Sequence, residues 1–255
     1  MDDIFKFGKK IVEEASIIVL KNYNKIRKIS YKEGAFNLVT NVDQEVENFI
    51  IKKITSRYPN HSIIAEETGS HKKDPNYKWF IDPIDGTTNF AHGYPFFCVS
   101  IGFSVKDELT FGLIKNPITN ELYSAFIKKG AQLNEQSIKV SKTKKLHDSL
   151  LVTGFPYDKK SKVSNFNDFK NITLISHGVR RDGAAALDLC YVACGRVDGF
   201  WETKLSPWDV AAGVLILQEA GGKITDYNGN KFNVFSNKIV ATNSLIHKEL
   251  LKHLK

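Results

Sequence analysis

Apolar positions recur at helical spacing over residues 3–22. Ile4, Phe7, Ile11, Ala15 and Ile18 form one stripe, with lysines and glutamates between them, and this pattern predicts an amphipathic helix. A basic connector ending near Lys32-Glu33-Gly34 follows, then Asn37-Leu38-Val39-Thr40. A second helix is expected at about 43–56, with Val42, Val46, Phe49, Ile50 and Ile54 as its stripe and Pro59 just past its end. The period then changes. His61–Ala65 and Tyr77–Ile81 are short apolar runs, the first ending in Glu66-Glu67 and the second in Asp82, and they read as buried strands with acidic C-terminal tips. Residues 96–140 carry β-branched and aromatic runs separated by Lys106-Asp107-Glu108 and Asn116-Pro117, the pattern of an antiparallel meander.

The second half alternates. Leu150–Gly154, Ile172–Ser176 and Val197–Trp201 read as strands. Residues 183–195 read as a helix with Ala185, Leu189, Val192 and Ala193 on its apolar face, and residues 207–220 as a helix stopped by Gly221-Gly222. With no repeat and no linker, the alternation predicts a layered α/β (α+β) fold. The pattern divides it into an N-terminal α+β lobe, residues 1–140, which carries most of the candidate ligands, and a C-terminal α/β lobe, residues 141–255, which completes the site in one compact unit.

Composition narrows the class. The 255 residues are 42% hydrophobic and 25% charged, as in soluble globular chains. No run approaches the roughly 18 apolar residues of a membrane span. Asp2, Asp3, Lys9, Lys10, Glu13 and Glu14 break up any leader-like pattern, so the expected location is cytoplasmic, with no membrane partner. Cys98, Cys190 and Cys194 are an odd, sparse set, which argues against a disulfide framework and for buried thiols. The net charge is +8, yet only Arg27, Arg57, Arg180, Arg181 and Arg196 are arginine. A lysine-dominated excess suits a solvated surface or a weak field that attracts anions. Without a helix-turn-helix, zinc-finger or RNP signature, nucleic acid is not the expected partner.

The chemistry concentrates in Trp79-Phe80-Ile81-Asp82-Pro83-Ile84-Asp85-Gly86-Thr87-Thr88-Asn89-Phe90. A strand delivers Asp82, Pro83 ends its ladder, and Gly86 gives the backbone freedom to turn. Two carboxylates brought that close repel unless a proton or cation intervenes, and oxygen-only ligation suits magnesium. An ordinary Asx turn around Asp-Pro and Asp-Gly competes with this reading. Three further acids weigh against the turn. Glu66 shares a sheet edge with Asp82 if the two strands are parallel neighbours. Asp209 lies in Ser206-Pro207-Trp208-Asp209, where it also fits the N3 acid of a capping box. Asp43 stands at the start of the second helix, where the macrodipole alone would favour an acid.

These segments resemble the inositol monophosphatase family of magnesium-dependent, lithium-sensitive phosphatases. The resemblance rests on Asp82–Phe90 with Pro207-Trp208-Asp209-Val210-Ala211-Ala212-Gly213, and extends through Asn37–Thr40 with Asp43, Ala65-Glu66-Glu67-Thr68 and Gly183–Leu189, in family order over nearly the whole chain. It implies the layered αβαβα sandwich of the sugar phosphatases, commonly a homodimer. It implies two or three magnesium ions per site: one held by Glu66, Asp82 and the Ile84 carbonyl, a second by Asp82, Asp85 and Asp209, and a weaker third by Glu66 through water with Asp43 close by. Gly86 and Thr87, with Asp85 beside them, would meet the phosphate, and Gly183, Ala184, Ala185 and Glu202 the alcohol. Ala184 stands where many members carry Ser or Thr, and Asn37 replaces a frequent Asp; both departures bear on substrate identity.

No cysteine or serine sits in a phosphate cradle, there is no G-x-S-x-G elbow, and the seven histidines lie in unrelated contexts, so direct attack by water is the expected chemistry. Glu66 and Thr87, with Asp43, are the candidate catalytic residues. The expected substrate is a small phosphorylated alcohol, with inositol 1-phosphate or a related polyol phosphate first. Histidinol phosphate, fructose bisphosphate, NADP and nucleotide 3′-phosphates are the alternatives. A different class remains open: an RNA- or ribonucleoprotein-binding protein with residual phosphatase activity.

Overall fold

A computed structural model describes residues 1–25, 29–31, 38–156 and 166–254. The connector Lys32–Gly34 and Asn37 lie outside the described residues. The chain opens with helix α1 (Asp2–Asn22), a small antiparallel pair β1 (Ile29–Tyr31) and β2 (Leu38–Thr40), and helix α2 (Asn41–Arg57). Then come β3 (His61–Ala65), β4 (Gly69–His71), β5 (Asp74–Asp85), the short α3 (Thr87–Ala91), and the meander β6 (Cys98–Val105), β7 (Glu108–Asn116), β8 (Glu121–Phe126), β9 (Ala131–Leu133) and β10 (Gln136–Ser137). The second half runs β11 (Leu150–Thr153), α4 (Phe166–Thr173), β12 (Gly178–Arg180), α5 (Ala185–Ala193), β13 (Gly199–Thr203), α6 (Pro207–Glu219), β14 (Lys223–Thr225), β15 (Lys238–Thr242) and α7 (His247–Leu251).

Two sheets organise these elements. The larger has the order β10-β9-β8-β7-β6-β5-β3-β4, and the smaller β12-β11-β13-β15-β14. Strand residues alternate between faces, and both faces of both sheets are covered. Trp79, Ile81, Phe103, Phe111 and Leu113 turn toward Ile11, Val12 and Val19 of α1 and Val46 and Ile50 of α2. The opposite face meets α5 and α6, and Phe200, Ile239 and Ala241 of the smaller sheet close on those helices from the far side. The outer face of the smaller sheet packs Leu151, Trp201 and Val240 against Ile172 of α4 and Ile246 and Leu250 around α7. The result is five layers, αβαβα.

Close approach of α6 to the larger sheet needs residues without side chains. A Cβ on Gly112 would lie 2.4 Å from the Ala212 carbonyl oxygen, and one on Gly102 3.0 Å from the Ala211 Cβ. On its other side, Gly213 lets α6 press onto Leu189 of α5, 2.7 Å from where a Cβ would stand.

The structure corrects three sequence readings. The strand expected at Ile172–Ser176 is instead the end of helix α4 and a turn, and the strand follows at Gly178–Arg180. Asp168 and Ile172 are buried one helical turn apart, whereas Leu174 is 76% exposed, so the apolar run was one face of a helix rather than a core strand. The strand expected at Val197–Trp201 runs two residues later, Gly199–Thr203, because the Val197 N–H is still tied to the Tyr191 carbonyl of α5 at 3.3 Å and pairing with β11 begins with the Asp198 N–H to the Leu150 carbonyl at 2.7 Å. Cys98 and Cys190 are buried free thiols, but Cys194 is only half-buried. Among the described residues no helix is long and apolar enough to cross a membrane.

Candidate active site

The site starts from a parallel strand pair. β3 and β5 run side by side with Ala65 opposite Ile81, and the pairing continues one step further, the Glu66 N–H donating to the Ile81 carbonyl at 3.2 Å. Glu66 and Asp82 therefore leave the same sheet edge. On the other flank, the register between β5 and β6 slips between Asp82 and Asp85, where Pro83 has no N–H to give the ladder. The slip gathers Asp82, the Ile84 carbonyl and Asp85 into one short arc.

Gly86 turns the chain from that arc into α3. Its φ is +92°, and a Cβ there would stand 3.0 Å from the Phe96 carbonyl oxygen, so conformation and space both ask for glycine. Thr87 follows with its hydroxyl 2.8 Å from Asp43 Oδ1 and 2.9 Å from the Ile84 carbonyl. Asp43 is fully buried on α2. Asp85 reaches into the other half of the chain, where its Oδ2 accepts the Ala186 N–H at the start of α5 at 2.6 Å. Asp209 enters from the first turn of α6, its Oδ2 accepting the Ser206 N–H at 2.7 Å, so its capping role is real.

Glu66, Asp82, Ile84, Asp85, Gly86, Thr87, Gly183, Ala184, Ala185, Glu202 and Asp209 line one cleft. Asp43 stands behind it, joined through Thr87. Glu202 is not just past a strand end, as the expected strand Val197–Trp201 implied, but inside β13 and buried. Electrostatics in the cleft are those of crowded acids. Burial, then the charges of Glu66, Asp85 and Asp209, hold the Asp82 carboxyl well above the usual carboxylate range. Burial pushes Asp85 up to about 7, opposed by the Ala186 amide. Burial, with Asp209 and Asp85, pushes Glu202 up to about 8, and Arg181 pulls the other way.

Sequence reasoning missed several neighbours. Gly154, Phe155, Arg181 and Leu205 also line the cleft. Asn89, quoted only as part of a motif, ties α3 to the alcohol side: its Nδ2 donates to the Phe96 and Asp182 carbonyls, both at 2.7 Å. Asp188 is buried beneath, and neither of its oxygens has a hydrogen-bond partner among the described residues. Glu47 is fully buried on α2, and its signal was available: it lies four residues after Asp43, on the same helix face.

Comparison with known proteins places this arrangement. The profile described as the inositol monophosphatase family matches residues 1–255. The chain belongs to the inositol monophosphatase family. It is accordingly a phosphoric monoester hydrolase, in a family whose members are metal-dependent. The chain is 46% identical over 251 residues to the inositol-1-monophosphatase of Synechocystis sp., covering 98% of this chain and 88% of that one. It is 40% identical to the Nus factor SuhB of Haemophilus influenzae, covering 100% and 97%. The solved inositol monophosphatase of Anabaena superposes with a TM-score of 0.90 at 41% identity, covering 99% of this chain and 95% of that one. The extragenic suppressor protein suhB of Bartonella henselae superposes with a TM-score of 0.93 at 34% identity, covering 99% and 98%.

The donor set fits a hard divalent cation. It is oxygen-only, and Asp82 Oδ1 is buried without a hydrogen-bond partner among the described residues, a position costly for a polar atom that has nothing to meet. Among the described residues no three His, Cys, Asp or Glu side chains stand together in ligating geometry. The Glu66 and Asp82 side chains nonetheless stand close enough for Glu66 to add to the upward push on the Asp82 carboxyl.

Proposed function

We propose that the chain hydrolyses a small phosphate monoester in a magnesium-dependent reaction, with inositol 1-phosphate or a related polyol phosphate as the first expectation. The observation that carries this reading is Asp82: a buried carboxylate with one oxygen lacking a partner, crowded by Glu66, Asp85 and Asp209, just before a Gly86-Thr87 turn. Two or three magnesium ions are proposed. Glu66, Asp82 and the Ile84 carbonyl would hold one, and Asp82, Asp85 and Asp209 another, with a third near Glu66 and Asp43. When bound, magnesium neutralises phosphate charge and makes water a stronger nucleophile.

The chain's own groups then divide the work. The Gly86 and Thr87 turn receives the phosphate. Glu66 and the Thr87 hydroxyl orient the attacking water, and Glu66 takes its proton. Buried Asp43 accepts the Thr87 hydrogen bond and so fixes the direction in which that hydroxyl points. Glu202, with the Gly183–Ala185 turn, meets the hydroxyls of the leaving alcohol. We propose that residues 1–140 and 141–255 act as one catalytic unit, that it assembles as a homodimer and that it works in the cytoplasm.

A panel of phosphate monoesters, assayed with magnesium and with excess EDTA, tests the reading. Polyol phosphates should lead, and full activity in EDTA would overturn the metal assignment. Preference for histidinol phosphate, fructose bisphosphate, NADP or a nucleotide 3′-phosphate would redirect the substrate and leave the chemistry standing. The relatives named Nus factor SuhB keep a second reading in play, an RNA- or ribonucleoprotein-binding protein with residual phosphatase activity. Phosphate release that persists after bound RNA is stripped would assign the hydrolysis to the chain itself.

A further inference from the structure

Glu47 lines no part of the cleft, yet it is fully buried, and both of its carboxylate oxygens are committed. Oε2 accepts the N–H of Glu67 at 2.8 Å, and Oε1 accepts the N–H of Thr68 at 2.7 Å. These are the two amides that follow Glu66. Since the Glu66 N–H itself donates to the Ile81 carbonyl, three successive amides are pinned, one by the sheet and two by α2. Hydrogen bonds to an ionised carboxylate are roughly twice as strong as neutral ones. A loop leaving a strand would otherwise have freedom at this point.

Asp43 and Glu47 sit one helical turn apart. Asp43 meets the Thr87 hydroxyl on one side of the cleft, and Glu47 meets the backbone of the Glu66 loop on the other. A single rigid helix thus sets the spacing between two groups carried by different loops. A solvent-facing acid pair would do neither. The burial of Glu47 is costly unless its bonds have a use.

We infer that Glu47 is a positioning residue, which holds the backbone after Glu66 so that the Glu66 carboxylate faces Asp82 at divalent-ion ligating distance. The inference rests on the magnesium-dependent reading above. It makes no contact with substrate and adds no chemical step.

The test is magnesium binding by isothermal titration calorimetry on the full chain, without substrate, for wild type, Glu47→Gln and Glu47→Asp, alongside thermal melting and magnesium-activation curves. Gln sets an amide donor against one of the two N–H groups. Asp keeps the charge but is a methylene too short to reach both. Loss of a group that orients a metal ligand typically weakens metal affinity by about 10–100-fold, and that is the loss expected for both variants. Saturating magnesium should restore most of kcat. Folded Glu47→Gln with wild-type magnesium affinity and activation would overturn the inference, even if its melting temperature falls. Should Glu47→Gln fail to fold, unchanged affinity in Glu47→Asp overturns it equally. Wild type that binds no magnesium would overturn the metal reading and this inference together, whereas normal wild-type binding with unaffected variants overturns the inference alone.

Discussion

A Cβ placed on Gly154 would lie 2.2 Å from both carboxylate oxygens of Glu202. The backbone of Gly154 is not in the left-handed region, so glycine is there for space rather than for conformation. The two residues face each other at the C-terminal edge of β11 and β13, where Thr153 pairs with Trp201. Gly154→Ala should therefore displace the Glu202 carboxyl. The expected result is a loss of about 1–3 kcal/mol in kcat/KM for the preferred polyol phosphate, the cost of leaving a buried polar group without its partner. An aryl phosphate without hydroxyls should be hydrolysed nearly as well as by wild type. Glu202→Gln should reproduce the pattern, and the double variant should be no worse than either single one, since both remove one contact. Equal losses on the two substrates would count against Glu202 as the alcohol-binding group.

Asp209 carries two roles that one substitution separates. Its bond to the Ser206 N–H needs only an acceptor, which Asn supplies about as well as Asp. Ligation of a hard cation needs the charge. Asp209→Asn should leave the melting curve close to wild type and collapse turnover. Wild-type turnover with an unchanged melting curve would remove Asp209 from the proposed ligand set.

Gly112 tests the layering rather than the chemistry. A methyl group there meets the Ala212 carbonyl oxygen at 2.4 Å and the Ala212 backbone carbons at 2.9 Å, and neither can step aside as a flexible side-chain tip would. Gly112→Ala should lower unfolding free energy by about 1–3 kcal/mol or more, read by urea denaturation, because α6 must lift from the sheet. Since α6 also carries Asp209, activity should fall further than stability alone explains.

His247 gives a pH dependence with a definite sign. Its ring is buried between two threonines, Nε2 being 2.9 Å from Thr225 Oγ1 and Nδ1 2.9 Å from Thr242 Oγ1. Thr225 Oγ1 donates to the Asp226 carbonyl at 2.7 Å, so it accepts from Nε2–H, and the Thr242 hydroxyl donates to a bare Nδ1. The ring is neutral in this arrangement, and burial, aided by Lys223, pushes its pKa down to about 4. The unfolded chain binds that proton near pH 6.5 and the native chain only near 4. The contribution of this ring to stability therefore rises with pH across that window and is lost as pH falls, by about 1–3 kcal/mol, whereas the raised carboxyls of Asp85 and Glu202 contribute with the opposite sign. Denaturant titrations from pH 7 to 4 should show the stability of wild type falling relative to that of His247→Gln. His61, whose pKa burial also lowers, and the raised carboxyls are common to both proteins and drop out of that difference. A difference that does not change with pH would mean that His247 does not titrate in this window.

Much of the site could be read in the chain because its acids are announced by what precedes them. An apolar run that stops at Glu66, another that stops at Asp82, and a proline that forbids the next ladder bond together mark a sheet edge. Asp85, Gly86 and Thr87 follow within the same turn. Asp209 was visible as a helix-start acid, and its cap bond is present. What escaped were contacts across the fold. Glu47 shares a helix face with Asp43, four residues on, but the two amides it accepts are known only once the β3–β4 loop is placed over it. Gly154 is one residue at a strand end, and nothing local says that a carboxylate from β13 will occupy the room it leaves. The misread strand at Ile172–Ser176 failed for a related reason: short apolar runs carry no mark of which side is covered, and only the packing of α4 on β12 decides it.

The Asp85 bond to the Ala186 amide has a consequence for how such a site can vary. The carboxylates of the cleft come largely from the edge of the larger sheet, whereas Gly154, Glu202 and the turn before α5 come from the second half of the chain, and that bond is one clasp between them. Under random substitution, lineages can reshape the alcohol side through the smaller sheet while inheriting the acidic edge untouched. A descendant can then acquire a new phosphorylated alcohol without having to reinvent hydrolysis. The reverse drift is closed off, because altering Asp85 disturbs a would-be ligand and the helix start that supports the substrate turn at the same time.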